Sequence, residues 1–216
     1  MKIDKDCYSL IAGYLLGTAA FAALVWWLVP SLWWRIPLLV LALVFAFFVV
    51  WFHRVPNREK VGGPTIVTSV ADGKVVIVEK VYEKEYLRQE CIQVSVYMNF
   101  FDVHANFWPV SGKISYYQYH PGKYLLAFLP KAAEENEHSS VAVSTDHGEV
   151  FFKQIAGTFA RRIVCYAKEG MEVESGAQCG IIKFGSRIDM FLPVGADIKV
   201  QVGDLTRACE TVIAEI

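Results

Sequence analysis

Gly180-Ile-Ile-Lys-Phe-Gly-Ser-Arg-Ile-Asp-Met-Phe-Leu-Pro193 holds two short apolar runs parted by Phe184-Gly185-Ser186. Runs this short, bounded by glycine or proline, read as strands with turns between them. The rhythm extends to Gly170, Gly176, Gly195 and Gly203, and the stretch ending Lys199-Val-Gln-Val-Gly-Asp-Leu205 gives the C-terminal part a carrier-domain-like look. Many short strands at this spacing predict a mainly β, compact sandwich or barrel-like domain.

Working upstream, Thr65 to Val70 and Lys74 to Glu79 flank Ala71-Asp72-Gly73. Asp-Gly between two β-branched runs predicts a hairpin. Further strands are expected at 93–97, 113–117, 124–128, 141–144 and 150–155, with turns at 118–122 and 146–148. Pro130 to Glu137 reads as one helical turn, in which Asn136 holds a loop by side-chain bonds. His120 and His147 fall at turns and read as surface residues.

The N-terminal part is different. From Ser9 to Phe52 the only charged side chain is Arg35. The stretch splits into 9–29, long enough to span a hydrocarbon core, and 36–52, near the lower length limit, parted by Pro30 to Arg35; this reads as a tight helical hairpin, with a re-entrant hairpin that dips in without crossing as the alternative. Trp26, Trp27, Trp33 and Trp34 crowd the break, where an aromatic belt would lie. Lys2 and Lys5 precede the first span, and His53, Arg54, Arg58 and Lys60 follow the second. The positive-inside rule then puts both ends in the cytoplasm. No small-residue cleavage site follows the first span, so a signal peptide is the weaker reading. The expected organisation is a membrane anchor at 1–55, a linker at 56–64 containing Gly62-Gly63-Pro64, and a soluble domain at 65–216.

The net charge of −1 over 216 residues argues against a nucleic-acid partner. Cys7, Cys91, Cys165, Cys179 and Cys209 show no paired spacing, and no zinc, EF-hand or phosphate-loop motif occurs, so no metal is expected.

Several residues are candidates for chemistry. Ser186 reads on its own as a turn serine, with Arg187 and Asp189 alternating with Ile188 and Met190 along a strand. Its hydroxyl is also placed to attack the Gly185 carbonyl, which no side chain shields. Ester formation, elimination to dehydroalanine and hydrolysis would leave a pyruvoyl group. His104, among aromatics and two residues after Asp102, suits a proton carrier; read blandly, it is an interfacial histidine and Asp102 caps a turn. Asp72 is either turn geometry or a carboxylate that orients a base. Lys123, Arg161 and Arg162 sit near aromatics, and arginine's planar fork suits phosphate. Asn106 is placed to position His104 or a substrate.

Taken in order, Ala71-Asp-Gly73, Asp102-Val-His104 with Asn106 and Pro109, Pro121-Gly-Lys-Tyr124, Lys131-Ala with Glu134-Glu-Asn-Glu137, Ala160-Arg-Arg-Ile-Val164 and Phe184-Gly-Ser-Arg-Ile-Asp189 resemble the phosphatidylserine decarboxylase family in its short proenzyme form. The resemblance covers about residues 60–216. It implies self-cleavage between Gly185 and Ser186 into a β chain, 1–185, and an α chain, 186–216, that stay together. Ser186 becomes a pyruvoyl cofactor, which forms a Schiff base with the amine of phosphatidylserine and yields phosphatidylethanolamine and CO2. Asp72 matches the aspartate assigned to cleavage, and His104 the histidine that protonates the decarboxylated intermediate. Long bacterial members carry a second histidine where Phe107 stands here. Either His104 serves both steps, or another group or a water activates Ser186.

The resemblance also implies work at the bilayer surface, with Phe100-Phe101 and Phe107-Trp108 dipping into the interface. The sequence leaves room for a homodimer. The competing readings are a decarboxylase of ether-linked serine phospholipids and a nonenzymatic membrane-anchored β domain of carrier type.

Overall fold

The computed structural model describes residues 2–126, 132–158, 162–183 and 186–216. It divides into two compact units, Met1–Pro56 and Asn57–Ile216.

The first unit contains β1 (Lys2–Ile3), α1 (Tyr8–Leu28), α2 (Leu32–Phe52) and β2 (Arg54–Val55), with β1 and β2 paired antiparallel. Both helices are long and apolar enough to cross a membrane. At 1.5 Å per residue each reaches about 30 Å, the thickness of a hydrocarbon core. The break between them is tighter than expected. The Ser31 carbonyl accepts from Trp34 N and Arg35 N at 3.2 and 2.9 Å, so α2 starts at Leu32 and takes in both tryptophans and Arg35. Arg35 turns back to the Val29 carbonyl, Nε to O 2.7 Å, which satisfies both the lone cation and an open helix end.

The second unit runs β3 (Ile66–Thr68), β4 (Gly73–Glu83), β5 (Gln89–Met98), β6 (Ala105–Phe107), β7 (Gly112–His120), α3 (Ala132–Glu135), β8 (His138–Thr145), β9 (Gly148–Ala156), β10 (Ile163–Cys165), β11 (Glu172–Val173), β12 (Gln178–Ile182), β13 (Ser186–Pro193), β14 (Asp197–Ile198), β15 (Leu205–Thr206) and β16 (Val212–Glu215). The fold is mainly β, as expected. An eight-stranded sheet, in order β11-β7-β8-β9-β13-β5-β4-β15, curls into a half-barrel. Two three-stranded sheets, β10-β12-β6 and β14-β16-β3, complete the unit. One continuous core includes Val75, Val94, Val96, Met98, Trp108, Phe152, Ile188, Met190 and Leu192.

Three expectations are corrected. First, Asp72-Gly73 does not close a hairpin: β3 pairs with β16, while β4 pairs with β5 and β15. The dipeptide instead carries the chain from one sheet to another. Gly73 is needed there because an added Cβ would strike the Tyr97 carbonyl oxygen. Second, Tyr124 to Leu126 form no strand; residues 127–128 lie outside the described ones. Asn136 ties that segment down instead, accepting from Leu125 N at 2.8 Å and donating to the Leu125 and Ala156 carbonyls at 2.8 and 2.7 Å. Third, His120 is not a surface turn residue. It ends β7 half-buried, stacked on His138, with Nε2 2.8 Å from Glu85 Oε1.

Glu85 is a hub on the sheet face turned away from the core. Tyr116, His120, Ser140 and Lys153 all converge on its two oxygens. Burial alone would raise this carboxyl from its ordinary 4.5, but Lys153, His120 and Ser140 overcome that and hold it at about 2. Its ionised form therefore stabilises the fold above pH 4.5, and that contribution is lost as pH falls toward 2.

Candidate functional site

β13 lies inside the large sheet, with Ser186 at its N-terminal end, paired to Met98 of β5 on one side and Ala156 of β9 on the other. Ser186 is fully buried. Among the described residues its Oγ has one hydrogen-bond partner, the Met98 sulfur at 3.6 Å. A thioether is a weak acceptor, so the hydroxyl is poorly satisfied and held by little. Among the described residues, no carboxylate or imidazole is hydrogen-bonded to it.

Asn106 approaches the same point from another sheet. The three-residue β6 pairs with β12, and Asn106 reaches the same Met98 sulfur through Nδ2 at 3.9 Å. Asn106 Oδ1 accepts from Gln154 Nε2 at 2.8 Å, and Gln154 Oε1 accepts from Ser139 Oγ at 2.7 Å. All three side chains are fully buried.

His104 immediately precedes β6, two residues from Asn106, and is fully buried. Its Nδ1 lies 3.1 Å from the Asp102 carbonyl oxygen. A carbonyl only accepts, so in the neutral ring Nδ1 carries the hydrogen and Nε2 presents the lone pair of a base. The Asp102 carboxylate accepts from Asn99 N at 2.8 Å and so closes the turn. Asp102 thus meets His104 through its backbone.

Asp72 stands at the same end of the sheet as Ser186, with β5 between them. Its oxygens are taken by Arg58 and by the Ala208 amide at 2.9 Å, so it touches neither Ser186 nor His104. Burial pushes its carboxyl up, and the Ala208 amide and Arg58 only partly offset this. Arg58 also reaches Glu210 at 3.2 Å, so the two residues clasp the 207–210 turn.

Phe107 and Trp108 are 4% and 3% exposed and cannot dip into a bilayer. Phe107 N donates to the Val70 carbonyl at 2.9 Å, which holds that strand inside the domain. Phe100 and Phe101, 38% and 73% exposed at the end of β5, keep the expected exposure. Lys123 is exposed and paired with Glu135, Nζ to Oε2 2.9 Å; Arg162 is exposed. Gly185 and Arg161 lie outside the described residues.

Sequence reading missed Met98, Gln154 and Ser139, which sit in runs that read as plain strand. It also missed the pairing of Arg187 with Asp189. These form a buried two-pronged ion pair, Nε to Oδ1 2.7 Å and a second nitrogen to Oδ2 2.6 Å, on the face opposite Ser186. The i, i+2 spacing of opposite charges in an apolar strand was the available signal.

Residues 45–214 match the family profile described as phosphatidylserine decarboxylase. The chain is similar to the phosphatidylserine decarboxylase proenzyme of Amoebophilus asiaticus, 46% identical over 170 residues that make up 78% of this chain and 76% of that one. It is similar to the proenzyme of Cytophaga hutchinsonii at 43% identity, covering 82% of this chain and 81% of that one. For the Bacteroides thetaiotaomicron proenzyme the identity is 42%, covering 100% and 96%.

Proposed function

The chain belongs to the phosphatidylserine decarboxylase family, and we propose on that footing that it cuts itself between Gly185 and Ser186 and then converts phosphatidylserine to phosphatidylethanolamine and CO2. The observation that carries this reading is the setting of Ser186. It is a buried, poorly satisfied hydroxyl at the first residue of a strand laddered on both sides.

In the cut, Ser186 Oγ bonds to the Gly185 carbonyl carbon, the C–N bond breaks, and the amine of residue 186 gains the proton. Loss of the Cα hydrogen and of the Cβ–O bond releases the Gly185 carboxylate and leaves dehydroalanine. Water then replaces the nitrogen, which departs as ammonia, and a pyruvoyl group remains; no oxidant is needed. Position 186 suits this small group, bounded by a thioether and an amide and clear of carboxylates. The group supplies a ketone that takes the substrate's amine and draws electrons from the bond to CO2.

This chain's own residues do the rest. His104 Nε2 takes the Ser186 proton during the cut and delivers a proton to the substrate carbon after CO2 leaves. Asn106 is a donor beside position 186. Asp72 acts from one strand away by holding Arg58 and the Ala208 amide. Lys123, Arg161 and Arg162 take the phosphate. The small chain, 186–216, stays bound without a covalent link: β13 is paired to β5 and β9, β15 to β4, and β16 to β3.

The helical pair anchors the protein in the membrane with the catalytic domain, 65–216, on the cytoplasmic side. A two-tailed lipid does not readily leave a bilayer, and Phe100 and Phe101 meet its surface. The test is incubation of the purified, processed protein with phosphatidylserine vesicles. Equal amounts of phosphatidylethanolamine and CO2 are expected, and processed protein that releases neither would refute the activity.

A further inference from the structure

Gln154 lies in Val150-Phe-Phe-Lys-Gln-Ile155, on the core face of β9 with Phe152 and Ala156. A fully buried amide among apolar residues is costly unless its groups are bonded. Here both ends are used, and the bonds have a direction. Ser139 donates to Gln154, and Gln154 donates to Asn106. With Oδ1 so committed, the Asn106 NH2 must point the other way, toward the Met98 sulfur that Ser186 Oγ also touches. A reversed Asn106 amide would set its NH2 against that of Gln154 and its oxygen against the sulfur's lone pairs. Space for the relay is built into the backbone: a Cβ at Gly180 would come within 2.9 Å of Gln154 Nε2 and would also strike the Val164 carbonyl oxygen.

The Asn106 NH2 thus carries two hydrogens and, among the described residues, meets only a thioether 3.9 Å away. A buried donor with so weak a partner is poised for a better acceptor. We propose that Gln154, locked by Ser139, is a positioning residue that aims the Asn106 amide at the oxygen atoms handled at position 186. The inference rests on the self-cleavage reading above. Gln154 touches no reacting atom; it acts through Asn106.

The test measures the rate at which the newly made chain is cut, followed by denatured mass, together with the thermal midpoint of each variant. Asn106→Ala removes the donor and is expected to slow cutting by about 100-fold, the usual effect of losing one preorganised donor. Gln154→Leu keeps the volume but frees the amide to rotate, and is expected to slow it about 10-fold or more. Because both act through one N–H, the double variant should cut no more slowly than Asn106→Ala alone. Cutting of Gln154→Leu at the wild-type rate overturns the proposal, and so does a double variant whose slowing is the product of the two single effects. If Gln154→Leu does not fold, Ser139→Ala decides: a several-fold slower cut with an unchanged thermal midpoint supports the relay, and a wild-type rate refutes it. A wild-type chain that never cuts would instead refute the self-cleavage reading itself.

Discussion

Ser186→Ala is expected to give a single intact chain with no decarboxylase activity above background. The substitution removes the one atom that begins the cut, and no neighbour can replace it. Met98 offers only a thioether, and Asn106 only an amide. The loss should be complete because the hydroxyl oxygen is proposed both to attack the Gly185 carbonyl and then to leave from Cβ in the elimination that makes the cofactor. The fold should survive. Among the described residues the hydroxyl's only hydrogen-bond partner is the Met98 sulfur, so its removal leaves no strong partner there unsatisfied and is close to neutral for stability. A melting curve near that of wild type, with one chain by mass, is the combination to look for. Appearance of two chains from Ser186→Ala would refute Ser186 as the nucleophile.

His104→Ala is expected to remain uncut and so, lacking the cofactor, to show no decarboxylation above background; in a chain that is cut, loss of the proton carrier alone slows turnover by about 10²–10⁴. Asp72 is held by Arg58 and the Ala208 amide, with β5 between it and Ser186. Phe107, where longer relatives were expected to keep a second histidine, is a buried apolar side chain. The proposed reading gives both steps to His104. Mass and turnover measured on one preparation separate the roles: cutting at the normal rate with turnover lost would confine His104 to decarboxylation. Its base strength depends on Nδ1 facing the Asp102 carbonyl, which fixes the lone pair at Nε2.

Much of the architecture was legible because its signals are local. Two apolar stretches without charges became α1 and α2, and the strand-like runs at 74–79, 93–97 and 150–155 became β4, β5 and β9. What failed depended on partners far along the chain. Asp72-Gly73 carries the usual hairpin signal, yet its strands join different sheets because β16 and β5 compete successfully for them. Phe107-Trp108 reads as an aromatic pair that dips into the interface, and only the Val70 carbonyl and the domain core show it to be interior.

The candidate site was half legible. Ser186 and His104, its proposed nucleophile and proton carrier, stand in recognisable company in the sequence. Gln154, Met98 and Ser139 do not, because a buried amide, thioether and hydroxyl gain meaning only when three strands bring them to one point. The buried Arg187–Asp189 pair is similar: alternation put both on one face, but nothing local shows that this face is closed to water.

The central claim is that residue 186 begins a separate chain, and the denatured mass of the purified wild-type protein tests it most directly. The account predicts two chains, 1–185 and 186–216, the smaller starting at a blocked residue lighter than serine and resistant to Edman degradation. A single intact chain from preparations that decarboxylate phosphatidylserine would contradict it.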